Sequence, residues 1–167
     1  MGITLHRTGR DDWQRLRTLR LEALRDTPIA FLQTAENAER MSEDEWRAYA
    51  GRGQEGARTI IVAVDDTTGD FVGMMGGAID HAGGAPFLVA VFVSPSHRGR
   101  ELGVTDQLLE AIEDWARGFG NVIQLDVHED NTRARRYYAS HGFVETGQTM
   151  PYPLDRTRVE LNMIKRL

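Results

Sequence analysis

The chain contains no cysteine and a single lysine, Lys165. Without cysteine there is no thiol nucleophile, no Cys-ligated zinc, no iron–sulfur cluster and no disulfide, a pattern that fits a reducing compartment. With one lysine, arginine carries nearly all the positive charge, a bias that genome composition produces as readily as function does. No apolar run approaches the roughly 20 residues that span a bilayer. Met1 to Arg7 reaches charged residues at once, so no signal-peptide core is expected there. Basic excess is lacking too: the net charge of −5 argues against a nucleic-acid binder that works through a broad basic face, though it leaves room for a local basic patch. Internal repeats, low-complexity blocks and Pro/Ser-rich linkers are absent. His6, His81, His97 and His141 show no metal-ligand spacing, so no metal is expected. What is present is ordinary globular material, 167 residues with 41% hydrophobic and 27% charged. That is enough to bury about 70% of the unfolded surface without staples. The expectation is a cytoplasmic protein off the membrane, with one domain over residues 1–167.

Periodicity then orders the elements. Ile3 to Arg7 alternates as a short strand. Asp11 and Asp12 open a helix with an apolar stripe through Trp13, Leu16, Leu19/Arg20 and Leu24, and Pro28 lies past its end. Ser42 and Glu45 have capping-box spacing, which predicts a second helix through Trp46 and Tyr49. Strands are expected at Thr59–Val64, at Phe71–Ile79 (where Gly73, Gly76 and Gly77 permit bulges) and at Phe87–Val93. Gly83 and Gly84 close the hairpin between the last two. Phe87–Val93 is the most apolar segment of the chain, as for a strand buried on both faces. Leu102 to Phe119 has helical spacing, Val122–His128 reads as a strand, and Asn131–His141 as a helix stopped by Gly142 with Phe143 behind it. Strands at Val144–Met150 and Val159–Arg166 complete a mixed α+β pattern, β-α-α-β-β-β-α-β-α-β-β.

The segment most informative about chemistry joins the apolar strand to the long helix: Val91-Phe92-Val93-Ser94-Pro95-Ser96-His97-Arg98-Gly99-Arg100-Glu101-Leu102-Gly103-Val104. The first N–H groups of a helix lack internal partners, and the helix dipole adds positive potential there. Two arginines at the same place make an anion site, and Gly99 and Gly103 allow close backbone approach. A Walker loop needs Gly-Lys-Ser/Thr and a dinucleotide fingerprint needs three glycines at fixed spacing; neither is present. The competing plain reading is an Arg/Gly turn that only connects two elements.

Arg98-Gly99-Arg100-Glu101-Leu102-Gly103 resembles the Gln/Arg-x-x-Gly-x-Gly/Ala signature of the GNAT superfamily of acyl-CoA-dependent N-acyltransferases. Leu125 to Phe143 resembles the same family's strand followed by Asn-x-x-Ala-x-x-x-Tyr-x-x-x-Gly-Phe. The specific part of the resemblance spans about Val91 to Phe143. It implies a GNAT-like fold whose central sheet splays between the strands matching Phe87–Val93 and Val122–His128. Acetyl-CoA is the implied co-substrate. Its pantetheine arm would lie against the backbone of Val91, Phe92 and Val93, and its diphosphate at Arg98, Gly99, Arg100, Glu101, Leu102, Gly103 and Val104. Asn131 matches a residue that hydrogen-bonds the cofactor arm, and it is also a good N-cap. Arg135 and Arg136 would reach the phosphates or the adenosine, unless they only solvate their helix face. One departure is Glu101, where the signature has glycine. Its carboxylate suits an empty helix start but opposes a diphosphate, by about 1 kcal/mol at 4 Å in water. The expectation is that its side chain turns outward.

The resemblance assigns Tyr138 as the acid that donates to the leaving thiolate, with Tyr137, about 100° round the helix, left for packing. The strand that carries a catalytic Glu in several members has no acid here. Asp126 falls where some members carry an acidic base in a similar Leu-acid-Val run, so the resemblance implies it first as base and His128 second, with a water relay as the alternative. The acceptor would be a small-molecule or peptide amine walled by Phe31, Trp46 and Tyr152, and a homodimer is compatible with the family. Two other readings stay open: a non-catalytic acyl-CoA-binding or regulatory module on the same fold, and a phosphate- or nucleotide-binding protein outside the family.

Overall fold

Alternation along the central strands sends side chains to two separate cores. The computed structural model describes residues 2–80 and 83–167, so His81 lies outside the described residues. The elements are β1 (Ile3–Arg7), α1 (Trp13–Asp26), α2 (Ala35–Glu39), α3 (Glu43–Gly51), β2 (Arg58–Asp65), β3 (Phe71–Ala78), β4 (Phe87–Val93), α4 (Val104–Arg117), β5 (Val122–His128), α5 (Thr132–Ser140), β6 (Val144–Tyr152) and β7 (Asp155–Arg166). They form a seven-stranded sheet in the order β1-β2-β3-β4-β5-β7-β6. On β2, Ile61 and Ala63 join a core with α4 and α5, while Ile60 and Val62 join a core with α1 and α3. The sheet is therefore covered on both faces.

Local chemistry explains the helix ends. Ser42 Oγ accepts from the Glu45 N–H and Glu45 Oε2 accepts from the Ser42 N–H, so the capping box that opens α3 is complete. Asn131 Oδ1 accepts from the Ala134 N–H at the start of α5. Gly142, at φ 91°, ends that helix in the left-handed region that glycine enters freely. The short helix α2 is an addition to the expected order. It has five residues, too few to show a periodicity, and Thr34 caps it by accepting from the Asn37 N–H.

Two features of the middle of the sheet refine the expectation. The β3 strand is irregular against β2 beside Gly73, where Val72 has no register partner on β2, and a second bulge, against β3, lies on β4. Met74 pairs with Phe92 and Gly76 with Val89, so two β4 residues, Ala90 and Val91, stand opposite Met75 alone. Ala90 has φ 54°, the one non-glycine residue with positive φ among those described. The β3 glycines also serve α4: a Cβ on Gly77 would lie 2.4 Å from the Trp115 ring, and one on Gly73 would lie 3.1 Å from Leu108. Second, β4 is not buried on both faces. Val89 is 40% exposed and Val91 half-buried, because the neighbouring parallel strand leaves it.

Candidate active site

The departure of β5 from β4 makes the site. The two strands pair in parallel only at Phe87 and Gln124, where the Gln124 N–H donates to the Pro86 carbonyl over 2.9 Å. Beyond that point no ladder bond joins them among the described residues, although β5 stays paired with β7 along its whole length. Separated parallel strands expose backbone donors and acceptors that need a partner. The gap opens into a cleft of about 520 Å³, lined on one side by β4 from Leu88 to Val93 and on the other by Leu125, Asp126, Val127 and His128.

One end of the cleft gathers unpaired helix amides and an arginine. Gly103 caps α4 at φ 58° with no side chain closing over the first-turn amides, so those donors remain free. The acidic residue of that turn, Asp106, is turned to the Tyr137 hydroxyl (2.8 Å) and His141 Nε2 (3.0 Å). Gly99 adopts φ 110°, and a Cβ on either glycine would meet only open space, so the requirement is conformational. Arg98 and Thr105 line the cleft. Arg98 is a held cation: its Nε donates to the Val93 carbonyl (2.8 Å) and its guanidinium to Asp26 (2.5 Å). The Thr27 hydroxyl first, and Arg98 second, keep the Asp26 carboxyl below the usual carboxylate range. Arg100 and Glu101 are exposed, Leu102 is half-buried, and Val104 is core.

Helix α5 supplies Asn131, Arg133, Tyr137 and Tyr138 to the cleft wall. Arg135 is not brought there: its guanidinium donates to Glu145 and to the Glu129 carbonyl. Arg133, which the motif did not single out, takes the place expected of Arg135. The two tyrosines differ sharply. The Tyr137 hydroxyl is committed to Asp106 and its ring stacks on His141 at 4.1 Å. Tyr138 is 6% exposed, packs edge-on against Phe143, and its hydroxyl has no hydrogen-bond partner among the described residues. Burial pushes its phenol up, so it stays protonated and able to donate.

The expected bases, Asp126 and His128, lie on the opposite face. Ile123, Leu125 and Val127 point into the core with α4 and α5, so Asp126 and His128 point toward α1–α3. The register sets Asp126 beside Asn162 and His128 beside Glu160 of β7. Asn162 donates to Asp126 over 3.0 Å. His128 Nδ1 accepts the Asp130 N–H (3.1 Å), so that lone pair has a partner. Glu160 was not visible as a candidate. It lines the cleft, is 8% exposed, and its carboxyl is pushed up first by burial and then by the Asp126 charge. Its alternation with Leu161 and Met163 was legible. Its place opposite His128 needed the β5–β7 register.

Of the expected acceptor walls, Phe31 lines the cleft. Trp46 is core, and the Tyr152 hydroxyl donates to the Phe31 carbonyl over 2.7 Å, so Tyr152 positions that loop. Among the described residues no cluster of three or more metal-ligating side chains occurs, and no helix is long and apolar enough to cross a membrane.

The site thus joins a mixed sheet split between two parallel strands to a helix start that no side chain caps. The chain belongs to the Acetyltransferase (GNAT) family, whose model matches residues 13–143. Solved structures agree in fold. A GNAT acetyltransferase from Streptococcus pneumoniae is 17% identical over 99% of both chains, with a TM-score of 0.79. The PaiA N-acetyltransferase of Thermoplasma acidophilum, solved in complex with coenzyme A, is 17% identical over 100% of both chains, with a TM-score of 0.76. The spermidine N-acetyltransferase of Vibrio cholerae, solved with CoA and spermine, is 19% identical over 98% of this chain and 95% of its own, with a TM-score of 0.74. No curated protein matches the chain.

Proposed function

We propose that residues 1–167 form one N-acetyltransferase domain that moves an acetyl group from acetyl-CoA to a primary amine by direct attack. The observation that carries this reading is the β4–β5 split, paired only at Phe87 and Gln124 and lined by buried Tyr138, whose hydroxyl has no partner among the described residues. The cleft fits an extended pantetheine arm, because β4 beyond Leu88 offers backbone groups that a strand-like ligand pairs with. Free α4 amides, with Arg100 and Arg133 nearby, suit a diphosphate. Acetyl-CoA, when bound, supplies an acetyl group already activated as a thioester.

The protein's own part is proton handling. Glu160, with Asp126 beside it, takes the proton that the attacking ammonium must lose; its raised carboxyl is better matched to that task than an ordinary glutamate. Tyr138 donates its phenolic hydrogen bond toward the sulfur as thiolate charge develops. Asn131, at the α5 start, is placed to orient the arm. The two motives for a non-catalytic module weaken here: Glu101 faces solvent, and the missing acid is supplied from β7.

Thiol release from acetyl-CoA with a panel of primary amines, with the N-acetyl product identified by mass, tests the reading. Amine-dependent release is expected. Tight coenzyme A binding by calorimetry without release for any amine would leave only the binding module.

A further inference from the structure

The acceptor end of the cleft carries the opposite charge from the protein as a whole. The chain is net −5, yet Arg20, Arg52 and Arg58 line the cleft on the α1–α3 side. Arg58 is paired with Glu55 at 2.7 Å. Arg20 and Arg52 have no carboxylate partner among the described residues: Arg20 donates to the neutral amide oxygen of Gln33 (3.2 Å) and lies over the Phe31 ring at 4.6 Å. Both guanidiniums lie over one ring, Tyr49, at 5.5 Å and 5.3 Å. The Tyr49 hydroxyl is itself buried without a partner. Both arginines are half-buried, where a charge without a counter-ion is costly and a bound anion is worth more than in open water. Stacking on an aromatic face fixes a guanidinium for planar recognition of carboxylate or phosphate oxygens.

We infer that the acceptor is an amine that also bears an anionic group, held by Arg52 and Arg20, and that it belongs to the class of α-amino acids with an apolar side chain. The inference rests on the acetyl-transfer reading above and narrows its substrate. Polycations are disfavoured, since each further ammonium would meet the two arginines. The apolar requirement comes from the rest of this end, where Ile29, Phe31, Leu32 and Met150 line the same space. The charges divide sensibly: Glu160 and Asp126 attract the ammonium, while the arginines take the carboxylate.

The test compares kcat/KM by thiol release for leucine, leucine methyl ester, 3-methylbutylamine and spermidine. Leucine should exceed each of the other three by at least about tenfold, a difference of about 1.4 kcal/mol in transition-state binding. Arg52→Gln should shrink the leucine-to-ester ratio at least fivefold, mainly through KM, and Arg52→Glu should reverse the order of leucine and 3-methylbutylamine. If either variant misfolds, the wild-type leucine-to-ester ratio decides alone. Release that is equal or faster with the ester, the simple amine or spermidine would overturn the anion reading and leave acetyl transfer standing. No release with any of the four while another amine of the panel is acetylated would likewise overturn the anion reading. No release with any amine at all, in a protein that binds coenzyme A, would overturn the acetyl-transfer reading beneath it.

Discussion

Replacing Glu160 with glutamine keeps the shape of the side chain and removes its ability to take a proton. A positioned general base is worth about 10²–10⁴ in rate, or about 2.7–5.5 kcal/mol of barrier. The low end applies here, because Asp126 lies one diagonal step away across the β5–β7 ladder and can substitute in part. A fall in kcat of about 10² is expected. The pH dependence is the sharper test. Burial first, and the Asp126 charge second, push the Glu160 carboxyl up, so the acidic limb of the wild-type profile should lie above that of an ordinary glutamate. Asp126→Asn removes one cause and should move the limb toward lower pH. Glu160→Gln should lose the raised limb. Stability must follow the same linkage. A carboxyl raised in the folded state contributes stability below its unfolded pKa and loses it as pH rises through the folded value. The glutamine variant should therefore match wild type near pH 4 and have the higher Tm at pH 8. Thiol release from pH 5 to 9 and thermal melts at both pH values are sufficient. A variant within threefold of wild type at every pH would refute the assignment of Glu160 as base.

Further outcomes follow from the same geometry. Tyr138→Phe should lower kcat by about 10² while leaving coenzyme A affinity nearly unchanged, because only a proton donor is removed; kinetics beside calorimetry will show it, and undiminished turnover would remove the role. Glu101→Gly takes one exposed carboxylate from beside the α4 start, so coenzyme A should bind two- to fivefold more tightly at low salt, an effect of roughly 0.3–1 kcal/mol after solvent screening; equal or weaker binding would refute the repulsion. Lys165→Met leaves Glu113, 7% exposed, with only Arg117 at 3.9 Å in place of a lysine at 2.5 Å. Urea melts should show a loss of about 1–3 kcal/mol, below the 3–5 of a fully buried broken pair because Arg117 remains.

What could be read from the chain and what could not divides by distance along the sequence. The capping box at Ser42, the Asn131 cap, the Gly142 stop and the bounds of β5 at Val122 and His128 all depend on residues within about four positions of one another, where pattern and hydrogen-bond chemistry coincide. The anion loop was legible for the same reason. Glu160 was hidden because its meaning depends on its register against β5, and Arg133 because the helix's docking angle, not its motif, decides which arginine faces the cleft. The arginines at the acceptor end come from α1, the end of α3 and β2, segments with no local signature linking them.

The bulge at Ala90 ties these parts together. Holding a residue with a Cβ at φ 54° costs of order 1–2 kcal/mol, and nothing in the packing of β3 against β4 repays it, since glycine would sit there without strain. The bulge falls three residues after the pairing of Phe87 with Gln124, and it puts Ala90 and Val91 beside the opened gap. Were the sheet closed there, the proposed base on one face would be walled off from the proposed acid on the other. Tyr138 packs with the α4–α5 core, while Glu160 and Asp126 point toward α1–α3. A continuous β4–β5 ladder would lie between Tyr138 on one face and Glu160 and Asp126 on the other. On the proposed roles, the local strain, the unpaired backbone and the division of proton donor from proton acceptor belong together: the split lets groups from the two faces of the sheet serve the amine and the sulfur of one transfer.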